Sequence, residues 1–183
     1  MPDLQLSNSS LISVTSAPAT AEDVVTQLRK QGKTVATAES LTAGLLSANI
    51  ATVPGASNVL RGGLVVYATD LKASLAGVSA DFLRRHGPVH PEVAAALATG
   101  AARRCEADFG VGLTGVAGPD PQDGHAVGEV YVGVGTKNPE QTVVAALPAG
   151  WWDADARDVR ASIREAAVAL ALTLLSTVDF ELA

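Results

Sequence analysis

The chain has 183 residues, a formal net charge of −6 and 48% hydrophobic residues, enough to bury the core of one domain. The acidic balance, with a pI near 4.9, argues against an extended phosphate backbone as partner, and 4% aromatics leave little for base stacking. One cysteine, Cys105, excludes a disulfide framework, and His86, His90 and His125 show no metal-ligand spacing. No apolar run reaches the ~18 residues of a membrane span, and the N-terminus lacks a secretory pattern. A cytoplasmic protein is expected, with no membrane or nucleic-acid partner. Cys105, on an Ala-rich helix, reads as small core packing.

Residues 1–18 read as a polar, Ser/Thr-rich mobile tail, and 19–183 as one domain. "TAEDVVTQLRKQG" predicts an amphipathic helix capped by Thr20 and stopped by Gly32. A strand "KTVATA" follows, then a small, apolar helix "TAGLLSANIATV" halted by Pro54-Gly55. "GGLVVYA" is a second strand, and "TDLKASLAG" a helix in which Thr69 as N-cap would place Lys72 third. "SADFLRRHG" is a capped turn ending at Gly87, and "HPEVAAALATGAARRCEA" a longer helix with Pro91 first. "DFGVGLTG" is a third strand, followed by the loop "VAGPDPQDGHAVG". "GEVYVGVGT" and "QTVVAALPA" form a hairpin, and a helix over about 155–178 closes the chain. This order predicts a three-layer α/β/α sandwich with a mixed, mostly parallel sheet.

Ligands in such folds sit beyond the carboxyl ends of the strands, where Ser40, Tyr67, Lys72 and Thr114 converge if the three strands are parallel neighbours. A serine there is either a helix cap or a nucleophile, and a nucleophile needs a base. Lys72 can act as base only with a lowered pKa; otherwise it is a solvated lysine. Tyr67 could relay a proton, and backbone N–H groups around Thr42, Ala43 and Gly44 could bind an oxyanion. The glycines Gly115 and Gly118 permit close ligand approach, although neither a P-loop nor a dinucleotide fingerprint is present.

Taken in order, "TVATAESLTAGLL", "VPGASNVLRGGLVVYATDLK", "HGPVHPEVA", "LTGVAGP" with "VGEVYVGV", and "RASIREAAVALAL" resemble the CinA C-terminal domain family over roughly residues 20–178. That family includes nicotinamide-nucleotide amidases, and the chain is similar to its stand-alone form. The resemblance implies an α/β/α fold, a homodimer or higher homo-oligomer, and no cofactor or metal. It implies hydrolysis of nicotinamide mononucleotide to nicotinate mononucleotide and ammonia. By the same resemblance Ser40 is the nucleophile, assisted by Tyr67 and Lys72, and Thr114, Gly115 and Gly118 line the substrate site. Arg160 and Arg164 match the arginine pair of the last helix, with Arg164 assigned to the substrate phosphate or a subunit contact. The chain departs from the pattern at Ala43, where a glycine is usual, and at Asp70, His90, Asp120 and Glu129. The added acids Asp70, Asp120 and Glu129 would make the pocket less hospitable to phosphate. A non-catalytic nucleotide-binding or interaction role, or hydrolysis of a related pyridine nucleotide, are the alternative expectations.

Overall fold

The structure, a computed structural model, describes residues 11–14 and 17–178. Helix α1 (Ala21–Gln31) starts at a capping box in which Thr20 and Asp23 exchange hydrogen bonds, and it ends at left-handed Gly32. Its buried face is Val24, Val25 and Leu28. Strand β2 (Val35–Glu39) is buried throughout, as the central strand of a sheet covered on both faces must be. Helix α2 (Leu45–Ala51), β3 (Leu60–Val65), α3 (Thr69–Ser74) and α4 (Ala80–His86) follow. Helix α5 (Pro91–Arg104) begins at the His90 cap, with Pro91 in the first turn. Then come β4 (Phe109–Gly115), β5 (Val130–Gly135), β6 (Thr142–Ala146) and α6 (Val159–Thr177).

The sheet order is β1-β6-β5-β4-β2-β3, where β1 is the two-residue strand Leu11–Ile12. β5 pairs antiparallel with both of its neighbours, and every other pairing is parallel, so β5 alone runs against the rest. Alternation along β2 sends Val35, Thr37 and Glu39 to one face and Ala36 and Ala38 to the other. Val35 accordingly packs with α1, α2 and α6, whereas Ala36 and Ala38 pack with residues of α4 and α5.

Helix α5 is buried on every side from Val93 to Ala102, a stretch composed mostly of alanine. An added Cβ at Gly112 of β4 would strike the Ala94 carbonyl, and one at Gly133 of β5 would do the same. Small residues on both partners therefore let this helix sit unusually near the sheet. No helix among the described residues is long and apolar enough to cross a membrane.

Three expectations need correction. The segment anticipated as tail contributes β1, because Leu11 and Ile12 pair in parallel with Val144 and Ala145 of β6. Of the rest of that 1–18 segment, residues 1–10 and 15–16 lie outside the described residues. The α3 cap is Ala68, in extended conformation without a side-chain bond, so Lys72 is the fourth helical residue rather than the third. The last helix starts at Val159 because Asp158, whose carboxylate accepts from the Ala161 N–H, caps it.

Candidate active site

The register of β2 pairs Glu39 with Val65 of β3 on one side and Leu113 of β4 on the other. The residues that follow, Ser40, Val66-Tyr67 and the last two residues of β4, Thr114-Gly115, therefore lie side by side at this edge of the sheet. The Ser40 N–H donates to Leu113 O at 3.1 Å, which continues the ladder one residue past the strand. Beyond these ends lies a cleft of about 110 Å³ bordered by Ser40, Tyr67, Lys72, Thr114, Asp120 and Arg160. Pro88 and Val89 form one wall, and the Gly115–Gly118 backbone another.

Ser40 is not the helix cap that local sequence rules allow. The α2 cap is Gly44, in left-handed conformation at φ 97°. Ser40 is 9% exposed, and among the described residues no hydrogen bond engages its hydroxyl. A hydroxyl at a cleft with no internal partner is available to a ligand.

Lys72 is buried, with 1% of its surface exposed. Its Nζ donates to the Val66 carbonyl at 2.9 Å and the Tyr67 carbonyl at 3.1 Å. Burial pulls its pKa from 10.5 down to about 8, against a smaller upward pull from Asp70. The acid that the sequence places two residues away thus opposes the shift without cancelling it. No hydrogen bond joins Lys72 to Ser40 among the described residues.

Tyr67 is 54% exposed at the mouth of the cleft. Its hydroxyl accepts from Arg160 Nη2 at 2.7 Å, and Arg160 Nη1 donates to the Gly118 carbonyl at 2.6 Å. Arg160 therefore spans the opening from the end of β3 to the loop after β4. Thr114 donates its hydroxyl hydrogen to the Pro88 carbonyl at 2.6 Å, pinning the 86–90 segment against the strand end.

Of the residues singled out from sequence, Ser40, Tyr67, Lys72, Thr114, Gly115 and Gly118 border the cleft, and Thr42, Ala43, Gly44 and Arg164 do not. The chain dives away after Leu41. The Ala43 N–H bonds back to Ser40 O and the Leu45 N–H to Thr42 O, while the Gly44 N–H goes to the Glu39 carboxylate at 3.0 Å. The Ala43 and Gly44 amides, two of those expected to bind an oxyanion, are thus engaged within the turn. Arg164 donates to the Leu41 and Thr42 carbonyls at 3.1 and 3.0 Å, bracing the turn from behind. The guanidinium at the cleft belongs to Arg160.

The acidic departures also separate. Asp120 borders the cleft. Glu129 is turned into a local network, accepting from His125 Nδ1 at 2.7 Å and from the Tyr131 hydroxyl at 3.2 Å. Burial would raise the Glu129 pKa, but the contacts with His125 and Tyr131 outweigh it and hold it below the ordinary carboxylate value. Among the described residues no group of three or more His, Cys, Asp or Glu is arranged to hold a metal.

Sequence reasoning passed over Glu39 except as the neighbour of Ser40. Its carboxylate, 1% exposed, accepts from the backbone N–H of Gly44, Leu46 and Ser47 and from the mutually bonded hydroxyl pair of Thr37 and Ser47. An acid that ends a short, mostly apolar strand and precedes a helix was the available signal.

The comparisons with known proteins agree with this architecture. The CinA C-terminal domain profile matches residues 18–178. A Streptococcus thermophilus protein with the provisional description "competence-damage inducible protein" is 43% identical over 123 residues, 67% of this chain and 29% of its own length. A Geobacillus protein of the same description is 46% identical over 125 residues, 68% of this chain and 30% of its own. The chain thus spans under a third of the length of these curated relatives. Among solved structures, the competence/damage inducible protein CihA of Agrobacterium tumefaciens superposes with a TM-score of 0.75 at 31% identity, covering 88% of this chain and 97% of that one. The CinA-superfamily protein ECK1530/EC0983 of Escherichia coli gives 0.74 at 27% identity, covering 92% and 96%. The profile match over residues 18–178 places this chain in the CinA C-terminal domain family.

Proposed function

We propose that the protein is an amidohydrolase that deamidates nicotinamide mononucleotide, with Ser40 as nucleophile and Lys72 as its base. The observation that carries this reading is the meeting of a free Ser40 hydroxyl and a buried lysine of lowered pKa on one cleft. A neutral amine has two hydrogens and one lone pair. The Val66 and Tyr67 carbonyls accept both hydrogens, which leaves the lone pair as the remaining valence.

In this reading Lys72 takes the Ser40 proton as Oγ adds to the carboxamide carbon. The proton then passes to the departing nitrogen, the C–N bond breaks and ammonia leaves. Water, deprotonated by the same amine, adds to the acyl-serine ester, and cleavage of the C–Oγ bond frees the carboxylate and restores Ser40. Tyr67, beside Lys72 and at the cleft mouth, assists the proton movement. Arg160 takes the substrate phosphate, for which a forked and permanently charged group is well suited. This role passes to Arg160 from Arg164 because Arg160 borders the cleft and Arg164 does not.

The test is ammonia release from nicotinamide mononucleotide by the wild type and by Ser40→Ala. The variant should lose about a thousandfold or more in kcat with its fold intact. Equal rates for the two proteins would remove Ser40 from the chemistry. Tight mononucleotide binding without any ammonia would assign the cleft to ligand capture.

A further inference from the structure

The side chains of Glu39 and Ser40 are consecutive on an extended chain, so they leave it on opposite faces of the sheet. Glu39 lies on the α2 side, where its partners are Thr37 and the first residues of α2. Ser40 and Lys72 meet at the cleft. A carboxylate so placed cannot take the Ser40 proton. Its two oxygens divide the surrounding polar groups: Oε2 accepts from Gly44 N and Leu46 N, and Oε1 accepts from Ser47 N and from one of the Thr37 and Ser47 hydroxyls, which lie 2.6 Å apart and bond each other with the remaining proton.

The turn that these bonds close is one that the chain does not favour by itself. Ala43 and Gly44 are consecutive left-handed residues, at φ 50° and 97°, and Ala43 carries a Cβ that this conformation penalises. Such backbone persists only where its surroundings over-determine it. Here two opposite charges do so from two sides. Glu39 gathers N–H groups at the far end of the turn, and Arg164 gathers the Leu41 and Thr42 carbonyls. Ser40 is the first residue of the segment held between them.

We propose that Glu39 is the positioning residue of the nucleophile, an internal counter-anion for the first turn of α2 that fixes the direction in which Ser40 leaves the sheet. The proposal rests on the amidase reading for its kinetic consequence and on the hydrogen bonds alone for its structural one. Glu39→Gln keeps the shape but sets an NH2 group against donors on one carboxylate arm, so the turn loses acceptors it cannot replace.

Three measurements on the full chain test it. Hydrogen exchange of the Gly44, Leu46 and Ser47 amides should quicken at least tenfold in Glu39→Gln. Labelling of Ser40 by a fluorophosphonate should slow about tenfold, and kcat on nicotinamide mononucleotide should fall about tenfold with KM within twofold. A purely structural role would lower the melting temperature and leave labelling and kcat alone. Wild-type labelling and kcat in a folded Glu39→Gln protein overturn the proposal, as does unchanged amide exchange. If Glu39→Gln does not fold, Ser47→Ala removes one donor while leaving the backbone amides in place. It should shift all three readouts the same way by a smaller factor, and no shift overturns the proposal. If the wild type neither labels nor releases ammonia, the amidase reading fails, and exchange at the three amides still decides whether Glu39 holds the turn.

Discussion

Lys72 shows how one side chain's state is set by competing terms. Burial disfavours the ammonium, Asp70 favours it, and burial prevails, leaving a pKa of about 8. As a base Lys72 must be neutral, so kcat/KM for nicotinamide mononucleotide should climb with pH and level off above about 8. Lys72→Arg should abolish the activity across the whole range, since a guanidinium does not deprotonate in proteins. A wild-type profile flat from pH 6 to pH 9 would remove Lys72 from the proton transfer. The lysine and its acidic neighbour were both legible in the sequence, but the winner was not. Which term dominates depends on how completely Lys72 is covered, and that is set by the packing of the folded chain. The same limit applies to Ala43. Its departure from glycine was visible, yet its effect falls on backbone strain rather than on the cleft, because the chain turns away before reaching it.

Elements were read well where a local rule decides them. The α1 capping box, the Pro91 start of α5 and the β5–β6 hairpin carry their own signals and stand where those signals put them. Boundaries moved where two caps competed. Asp158 took the start of α6, and Ala68 replaced Thr69 at α3 because Thr69 already lies inside the helix. The β4 glycines Gly110 and Gly112 drew no comment in the sequence, and their role is to admit α5. Gly112→Ala should therefore be costly even though alanine suits a strand better. The added methyl meets the Ala94 carbonyl and the Ala98 amide, rigid backbone groups that cannot step aside. A loss of about 3 kcal/mol or more is expected in urea unfolding. A change under about 1 kcal/mol would mean that α5 can retreat from the sheet.

At the scale of the whole molecule, the layered fold followed from periodicity, and the position of the strand-end cleft from the rule that open sheets bind ligands at their carboxyl ends. The placement of β1 beside β6 was not accessible that way, since two residues carry no period. The choice between Arg160 and Arg164 was also hidden. Both lie on α6 four residues apart, and only the packed sheet shows which of them clears its edge. The complete enclosure of α5 has a further consequence, in time rather than in space. A helix buried from Val93 to Ala102 has no solvent-facing side from which to fray, so its central amides can meet deuterium only when the sheet and its covering helices come apart together. Amide exchange at Ala96, Leu97 and Ala98 should then be the slowest in the chain and should track the global unfolding free energy as denaturant is added. Protection there that ignored denaturant would reveal local opening. The alanine-rich centre of this protein would serve as its own clock for how often the entire molecule comes undone.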